Sequence, residues 1–343
     1  VNIAHLLAYS AIYPRTTHHG RYDWVMRLAT LQAKAGHTVT LYCGPSSRSP
    51  HPNISFRSLP APLRDRHHSN SGLFLLAFAD DAHDIYHSHF DSLHYELAAG
   101  TAKPIVYTQH WFPNQTIAET AHRYPGANVL AVPVTSNMLA ANQRLDIPSG
   151  PVISHGIDLS QFAPNYEVHG ARLLCVGRIT AQKGVAEAVQ LVRSVAGLGL
   201  DIVGKILPAD KDYWQSLQPY VDGTRIRYLG QLSPDEVARQ MSEASGLLFL
   251  PQAPEAFGQT VIESQACGTP VISNQLGGEN QLFIPGQTGF VVNSDDDFRQ
   301  ALQNLARLDP TTCRAFAEKF SLQTMSESYY DLYANLTSAY LNG

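Results

Sequence analysis

The sequence predicts an α/β protein built on two Rossmann-like parallel sheets, and three observations lead there. Short apolar runs alternate with helical patterns along the whole chain, which is how parallel strands joined by crossover helices read. The runs fall into two series of six, and one sheet of twelve strands is disfavoured, so two sheets are expected. Between the series stands Phe162-Ala163-Pro164-Asn165-Tyr166-Glu167, a breaker-rich stretch that reads as the linker. The 343 residues, 44% of them hydrophobic and 15% charged, supply core for about two domains.

In the first series, strands are expected near residues 2–8, 38–43, 84–88, 104–108, 128–132 and 151–154. Trp24, Val25, Leu28, Ala29 and Leu31 recur at helical spacing, so a helix is expected from Tyr22 to Ala35, ended by Gly36-His37. The second series places strands near 171–176, 199–203, 226–229, 246–250, 270–273 and 289–292. Asp295-Asp296-Asp297 precedes the helical pattern Phe298 to Leu305, where acids favour the helix dipole, so this run reads as capping rather than as a metal motif. Over the last 20 residues Met325, Tyr329, Tyr330, Leu332, Tyr333 and Leu336 mark the apolar face of a final helix.

Composition removes several classes of function. A formal net charge of −5 argues against nucleic acid or an anionic membrane as main partner. Cys43, Cys175, Cys267 and Cys313 lie far apart with no metal or redox spacing and read as buried thiols. No run approaches the length of a membrane span and no signal segment is recognisable, so a cytoplasmic chain is expected. No strand is followed by a spaced three-glycine fingerprint, which disfavours a dinucleotide oxidoreductase.

The most informative stretch is Glu255-Ala256-Phe257-Gly258-Gln259-Thr260-Val261-Ile262-Glu263. Leu247-Leu248-Phe249-Leu250 before it reads as a buried strand. Gly258 then opens a short helix that Cys267-Gly268-Thr269-Pro270 closes, with Gly268 at a left-handed cap. Amides at a helix start can hold an anion, and Glu263, about one turn in, reaches a hydroxyl that Glu255 cannot. Two acceptors flanking an amide nest suit a ligand that is part polyol and part phosphate, a nucleotide sugar. Arg178 and Lys183 flank the turn between another buried strand and the helix opening at Gly184, which makes a credible diphosphate clamp.

The run from Glu255 to Ser273 resembles the signature segment of glycosyltransferase family 4. Val152-Ile153-Ser154-His155-Gly156-Ile157-Asp158, then Val176-Gly177-Arg178 with Lys183-Gly184, and Gly277-Gly278 with Gly286-Gln287-Thr288-Gly289-Phe290 resemble the same family in the same order. The likeness is dense over residues 150–295 and thin over the first 110. It implies the GT-B fold, two Rossmann-like domains facing across a cleft. The expected bounds are an acceptor-side domain at 1–163, a nucleotide-sugar-binding domain at 164–321, and a helix at 322–343 that crosses back to the first domain.

The resemblance also assigns roles. Arg178 and Lys183 go to the donor phosphates, Glu263 to the ribose, and Glu255 to the transferred sugar near its O3 hydroxyl. The amides of Phe257, Gly258, Gln259 and Thr260 hold that sugar and the β-phosphate. His110, after a strand, contacts the sugar near the reacting centre, and Gly20 serves the first loop. The catalytic candidates are therefore Arg178, Lys183, Glu255 and His110, with Glu263, Phe257, Gly258, Gln259, Thr260 and Gly20 as binding residues. Neither a cofactor nor a metal is expected. His87 and His89 share one strand face as metal ligands do, but no third ligand is identifiable, and they read as polar residues at the cleft edge.

The chain departs from the family in two places. The first loop, Tyr13-Pro14-Arg15-Thr16-Thr17-His18-His19-Gly20, has one glycine where relatives often have two adjacent ones, and Gln281 stands where they commonly carry glutamate. His18, His19, Tyr22, Trp24, Trp111 and Phe112 form an aromatic and imidazole set able to stack on a sugar or a flat heterocycle, although Trp24 also fits the apolar face of its helix. The expected function is retaining transfer of a hexose from a UDP-glucose or GDP-mannose type donor to a hydroxyl of a soluble small-molecule or glycan acceptor. The alternatives are a nucleotide-sugar-binding protein without turnover and a membrane-associated glycosyltransferase. Arg64-Asp65-Arg66-His67-His68 is short and partly neutralised, which favours the soluble acceptor.

Overall fold

The computed structural model describes residues 1–13, 20–90, 92–125, 128–166, 170–274 and 281–342. The chain divides into two compact units, residues 1–155 with 322–343, and residues 156–321.

In the first unit β1 (Asn2–Leu6), β2 (Thr38–Tyr42), β3 (Ile54–Arg57), β4 (Ile85–Ser88), β5 (Ile105–Thr108) and β6 (Val129–Val132) form a parallel sheet in the order β3-β2-β1-β4-β5-β6. The crossover helices are α1 (Gly20–Lys34), α2 (Arg66–Phe78), α3 (Leu93–Leu97), α4 (Gln115–Arg123) and α5 (Ser136–Arg144). Residues 151–154, expected as a strand, do not form one, and Ile54–Arg57 does. Segment 148–153 follows β6 through scattered backbone bonds, from Ala131 N to Pro148 O, Gly150 N to Ala131 O and Ile153 N to Pro133 O. Pro148 and Pro151 have no N–H to extend them into a ladder. β3 escapes sequence reading because it is a half-exposed edge strand of four residues.

The second unit contains β7 (Arg172–Val176), α6 (Val185–Arg193), β8 (Gly199–Val203), α7 (Lys211–Leu217), β9 (Ile226–Gly230), α8 (Pro234–Glu243) and β10 (Gly246–Phe249). They are followed by α9 (Gln259–Ala266), β11 (Val271–Ser273), β12 (Gly289–Val291), α10 (Asp295–Leu305) and α11 (Pro310–Ala317). Its parallel sheet runs β12-β11-β10-β7-β8-β9. All six strands lie where the apolar runs place them; β7, β8, β10 and β11, buried along most of their length, read as continuous hydrophobic segments. Ser294 caps α10 by accepting from Asp297 N, and the Asp297 carboxylate accepts from Asn293 N, so the triple aspartate caps a helix as expected.

The unit boundary falls at His155/Gly156 rather than at 163. Phe162 is buried and its carbonyl accepts from Arg314 Nη1 at 2.7 Å, while Asn165 N donates to Cys267 O at 3.0 Å. These bonds hold the breaker-rich stretch within the second unit. The final helix, α12 (Leu322–Asn342), belongs to the first unit and packs on α1, burying Met325, Tyr329, Leu332 and Tyr333 with Ile3, Trp24, Val25 and Leu28 in one core. All four cysteines are buried and unpaired by disulfides, and burial pushes the thiols of Cys43 and Cys175 up to about 11 and about 12.

Candidate functional site

Strand order defines the place to look. In a doubly wound sheet ligands bind beyond the carboxyl ends of the strands, at the point where the order reverses. In the second unit that point lies between β7 and β10, paired through Leu173 with Gly246 and Leu174 with Leu247. The loops leaving these two strands carry Arg178, Lys183 and Glu255. They are tied together by a backbone bond from Gln252 N to Gln182 O at 2.8 Å.

Gly184 makes the close approach possible. It adopts φ +69°, and a Cβ there would stand 1.7 Å from the carbonyl oxygen of Leu250. Under that contact Lys183 Nζ forms an ion pair with Glu255 Oε2, each side chain about one quarter exposed. Gly184→Ala is therefore expected to cost about 1–3 kcal/mol in strain and to drive the Lys183 turn away from the Glu255 loop. A melting temperature equal to wild type would contradict the close packing.

An ammonium has three N–H donors and a carboxylate two acceptor oxygens. The pair therefore leaves donors on Lys183 and the second oxygen of Glu255 for other partners. Arg178 is exposed and forms no ion pair with the described residues. Beyond Glu255, Gly258 takes a left-handed conformation (φ 82°, ψ 54°) at the N-cap of α9, with no side-chain cap. A side chain is disfavoured there; Val261 N donates to Gly258 O at 2.9 Å, and the amides of Gln259 and Thr260 precede that first bond of the helix. Phe257 is buried with its ring toward Phe320, and Glu263 is half-buried one turn along α9. Cys267 and Gly268 (φ +80°) close this helix.

Arg178, Lys183, Glu255, Phe257, Gly258, Gln259, Thr260 and Glu263 thus all stand on two adjacent loops and the helix that follows. Sequence reading missed the direct contact of Lys183 with Glu255, which are 72 positions apart. A polar cavity of 570 Å³ opens nearby against Glu187, Gln190, Gln252, Asn274 and Asn293, and none of the predicted residues lines it. Gly277-Gly278 and residues 14–19 of the first loop, with His18 and His19, lie outside the described residues. Gly20 is the first residue of α1 in the first unit, and among the described residues nothing comes within 4 Å of where a Cβ would stand there. Gln281 and Trp111 are exposed, and Tyr22 and Trp24 are buried core.

His110 sits in the first unit inside a chain of imidazoles. Parallel pairing places His5 of β1 opposite His87 of β4. His5 Nε2 meets Gln32 Oε1 at 2.7 Å, His5 Nδ1 meets His89 Nε2 at 3.0 Å, and His89 Nδ1 meets His110 Nε2 at 3.1 Å. A second arm leaves the same amide. Gln32 Nε2 donates to Tyr333 OH at 3.1 Å, Tyr333 OH meets His87 Nδ1 at 2.6 Å, and His87 Nε2 meets Thr108 Oγ1 at 2.7 Å. Thr108 Oγ1 in turn meets Tyr329 OH at 2.5 Å. Trp24 covers the chain, its ring edge-on to His110 with centroids 5.2 Å apart.

His87 and His89 are therefore buried network members rather than cleft-edge residues, and His5 is the third imidazole that sequence reading did not find. His5, His87 and His89 have ring nitrogens within 4.8 Å of one another, as a metal site has. All six of those nitrogens are already engaged in hydrogen bonds. Burial holds the imidazoles neutral. His5 is lowered to about 4 and His155 to about 3. His87, His89 and His110 lie well below the ordinary value, first through burial and then through neighbouring imidazoles, with Arg21 adding to the effect at His89 and His110.

Two Rossmann-like units, each doubly wound, define the fold as GT-B. Over 98% of the chain it is shared with sucrose-phosphate synthase from Thermosynechococcus elongatus, at TM-score 0.82 and 21% identity, covering 99% of that chain. The Anabaena HepE protein, solved in complex with UDP, matches over 98% of this chain and 100% of its own, at TM-score 0.79 and 15% identity. Residues 160–319 match the family model Glycosyl transferases group 1. In sequence, the D-inositol 3-phosphate glycosyltransferase of Paenarthrobacter aurescens is 26% identical over 239 residues, 61% of this chain. The match spans 58% of that relative's length.

Proposed function

We propose that this chain is a glycosyltransferase of the group 1 type, moving a hexose from a nucleotide-diphosphate sugar of the UDP-glucose or GDP-mannose kind to a hydroxyl of a soluble small-molecule or glycan acceptor. The observation that carries this is the Lys183–Glu255 pair at the β7/β10 switch point, beside the uncapped start of α9. Within a segment matching a glycosyltransferase family, that arrangement supports cation and amide contacts to a diphosphate next to a carboxylate for a sugar hydroxyl. Arg178 and the remaining donors of Lys183 take the phosphates. Glu255 Oε1 takes the hydroxyl near O3, and Glu263 takes the ribose. The amides of Phe257 to Thr260 take the sugar and β-phosphate.

The family resemblance implies retaining transfer, and with no carboxylate assigned as nucleophile the leaving diphosphate is assigned the proton of the incoming hydroxyl. The C1–O bond to the diphosphate breaks as the C1–O bond to the acceptor forms on the same face. Catalysis then consists of stabilising charge on the leaving group, and no metal is assigned a part. His110 is assigned to a sugar hydroxyl.

The test is incubation with UDP-glucose and GDP-mannose, with and without hydroxyl acceptors, followed by detection of free nucleotide and of the anomeric product by NMR. The expected result is acceptor-dependent nucleotide release, unchanged by a chelator, with the α-configuration kept. The true donor at a hundred times its dissociation constant should also stabilise the fold by about 2.7 kcal/mol. Binding without product would leave a nucleotide-sugar-binding protein, and no thermal shift with any nucleotide sugar would end the proposal.

A further inference from the structure

The imidazole chain of the first unit has a property that follows from donor and acceptor counting alone. Each neutral imidazole carries one N–H and one lone pair, so the chain must run in one direction throughout. With the Gln32 amide donating to Tyr333, its oxygen faces His5 and can only accept. His5 then carries its proton on Nε2, His89 donates from Nε2 to His5, and His110 donates from Nε2 to His89. Nδ1 of His110 is left as a lone pair. It is buried and has no hydrogen-bond partner among the described residues.

Turning the amide over reverses every bond. His5 and His89 would then protonate on Nδ1, and His110 would present an N–H at Nδ1. On the other arm, Tyr333 would donate to Gln32, and His87 would donate to Tyr333. Both wirings are fully neutral, as the depressed basicity of these rings requires. They differ at the free end. Reversal buries an orphan N–H at His110, and orphan donors are rarer in folded proteins than under-used acceptors.

We propose that Gln32, His5 and His89 are positioning residues whose hydrogen-bond chain, set by the Gln32 amide and held by Tyr333, keeps the His110 proton on Nε2 and presents Nδ1 as an acceptor for a sugar hydroxyl. The identity of the hydroxyl-bearing ligand rests on the function proposed above; the protonation pattern does not. Tyr333 matters because its oxygen is the acceptor for the amide NH₂. Without it the NH₂ is buried unpaired, unless the amide turns to His5 and reverses the chain.

The experiment uses the full chain with ¹⁵N-labelled histidine and long-range ¹H–¹⁵N correlation spectra, which report the protonated nitrogen of each ring without ligand or turnover. Wild-type His110 is expected in the Nε2–H form. Tyr333→Phe, nearly isosteric, should raise the Nδ1–H form of His110 from about a tenth or less to about half, since either wiring then buries one orphan donor, the Gln32 NH₂ or the His110 N–H. Gln32→Glu, which can only accept while ionised, should keep Nε2–H at a pH above its carboxyl pKa. A wild-type His110 protonated on Nδ1, or a His110 tautomer that ignores Tyr333→Phe in a folded variant, would overturn the proposal. If Tyr333→Phe fails to fold, the wild-type and Gln32→Glu spectra decide, because Nδ1–H at His110 in either contradicts it. Should the tautomers behave as stated while no nucleotide sugar binds, the chain stands and the functional reading falls.

Discussion

Lys183→Ala should lower turnover about a hundredfold, corresponding to roughly 3 kcal/mol of lost transition-state stabilisation, while the protein stays folded. The size follows from charge developing on the departing diphosphate, which the proposed function assigns to Lys183 and Arg178. The folded state survives because a partly exposed pair such as Lys183–Glu255 contributes at most about 1 kcal/mol to stability. Arg178→Ala should cost a similar factor with still less effect on stability, since it is exposed and forms no ion pair with the described residues. Steady-state rates with the preferred donor, read beside melting curves, check both. Near-normal turnover in either variant refutes the clamp. A loss in Lys183→Ala confined to KM would mean that the lysine holds donor and transition state alike.

Acid should unfold the first unit early. His5, His94 and His155 bind protons near pH 6.5 in the unfolded chain, but only near 4, 3 and 3 when folded, because each is wholly buried. Between those values the unfolded chain holds more protons, so stability falls as pH drops through the window from 6.5 toward 4, and is fully present above it. Each group contributes a slope of about 1.4 kcal/mol per pH unit. The three together give about 4 kcal/mol per unit once all are titrating, against a typical total of about 5–15 kcal/mol. A cooperative loss of structure between about pH 6 and 4 is the expected result. Fluorescence of the buried Trp24, in a background with Trp111 and Trp214 replaced by phenylalanine, follows it in this unit. A native signal persisting below about pH 3.5 would show that these rings are not held neutral.

Much of the second unit was legible in one dimension. Its inner strands β7, β8, β10 and β11 are buried along most of their length and read as apolar runs, and the turn from Arg178 to Gly184 and the helix from Gln259 to Ala266 lie where glycine and strand ends put them. The first unit was less so. β3 is too short and exposed to stand out, and residues 151–154 have strand composition but prolines where ladder donors are needed. Histidine spacing at 87 and 89 pointed to one strand face, yet the partner completing the cluster comes from β1, brought alongside only by parallel pairing.

The order of apolar runs and breakers pointed by itself to two parallel sheets, because a strongly twisted sheet rarely holds twelve strands and most parallel crossovers carry a helix. It also placed Arg178, Lys183, Glu255 and Glu263 at strand ends and helix starts, since local backbone geometry is written in local sequence. Only the tertiary structure decided that Lys183 touches Glu255, that His5 joins His87 and His89, and that Tyr333 of the last helix shares an amide with His5. Those contacts join residues far apart in the chain. Their existence depends on strand order and register, which side-chain patterning constrains only to a face and never to a partner.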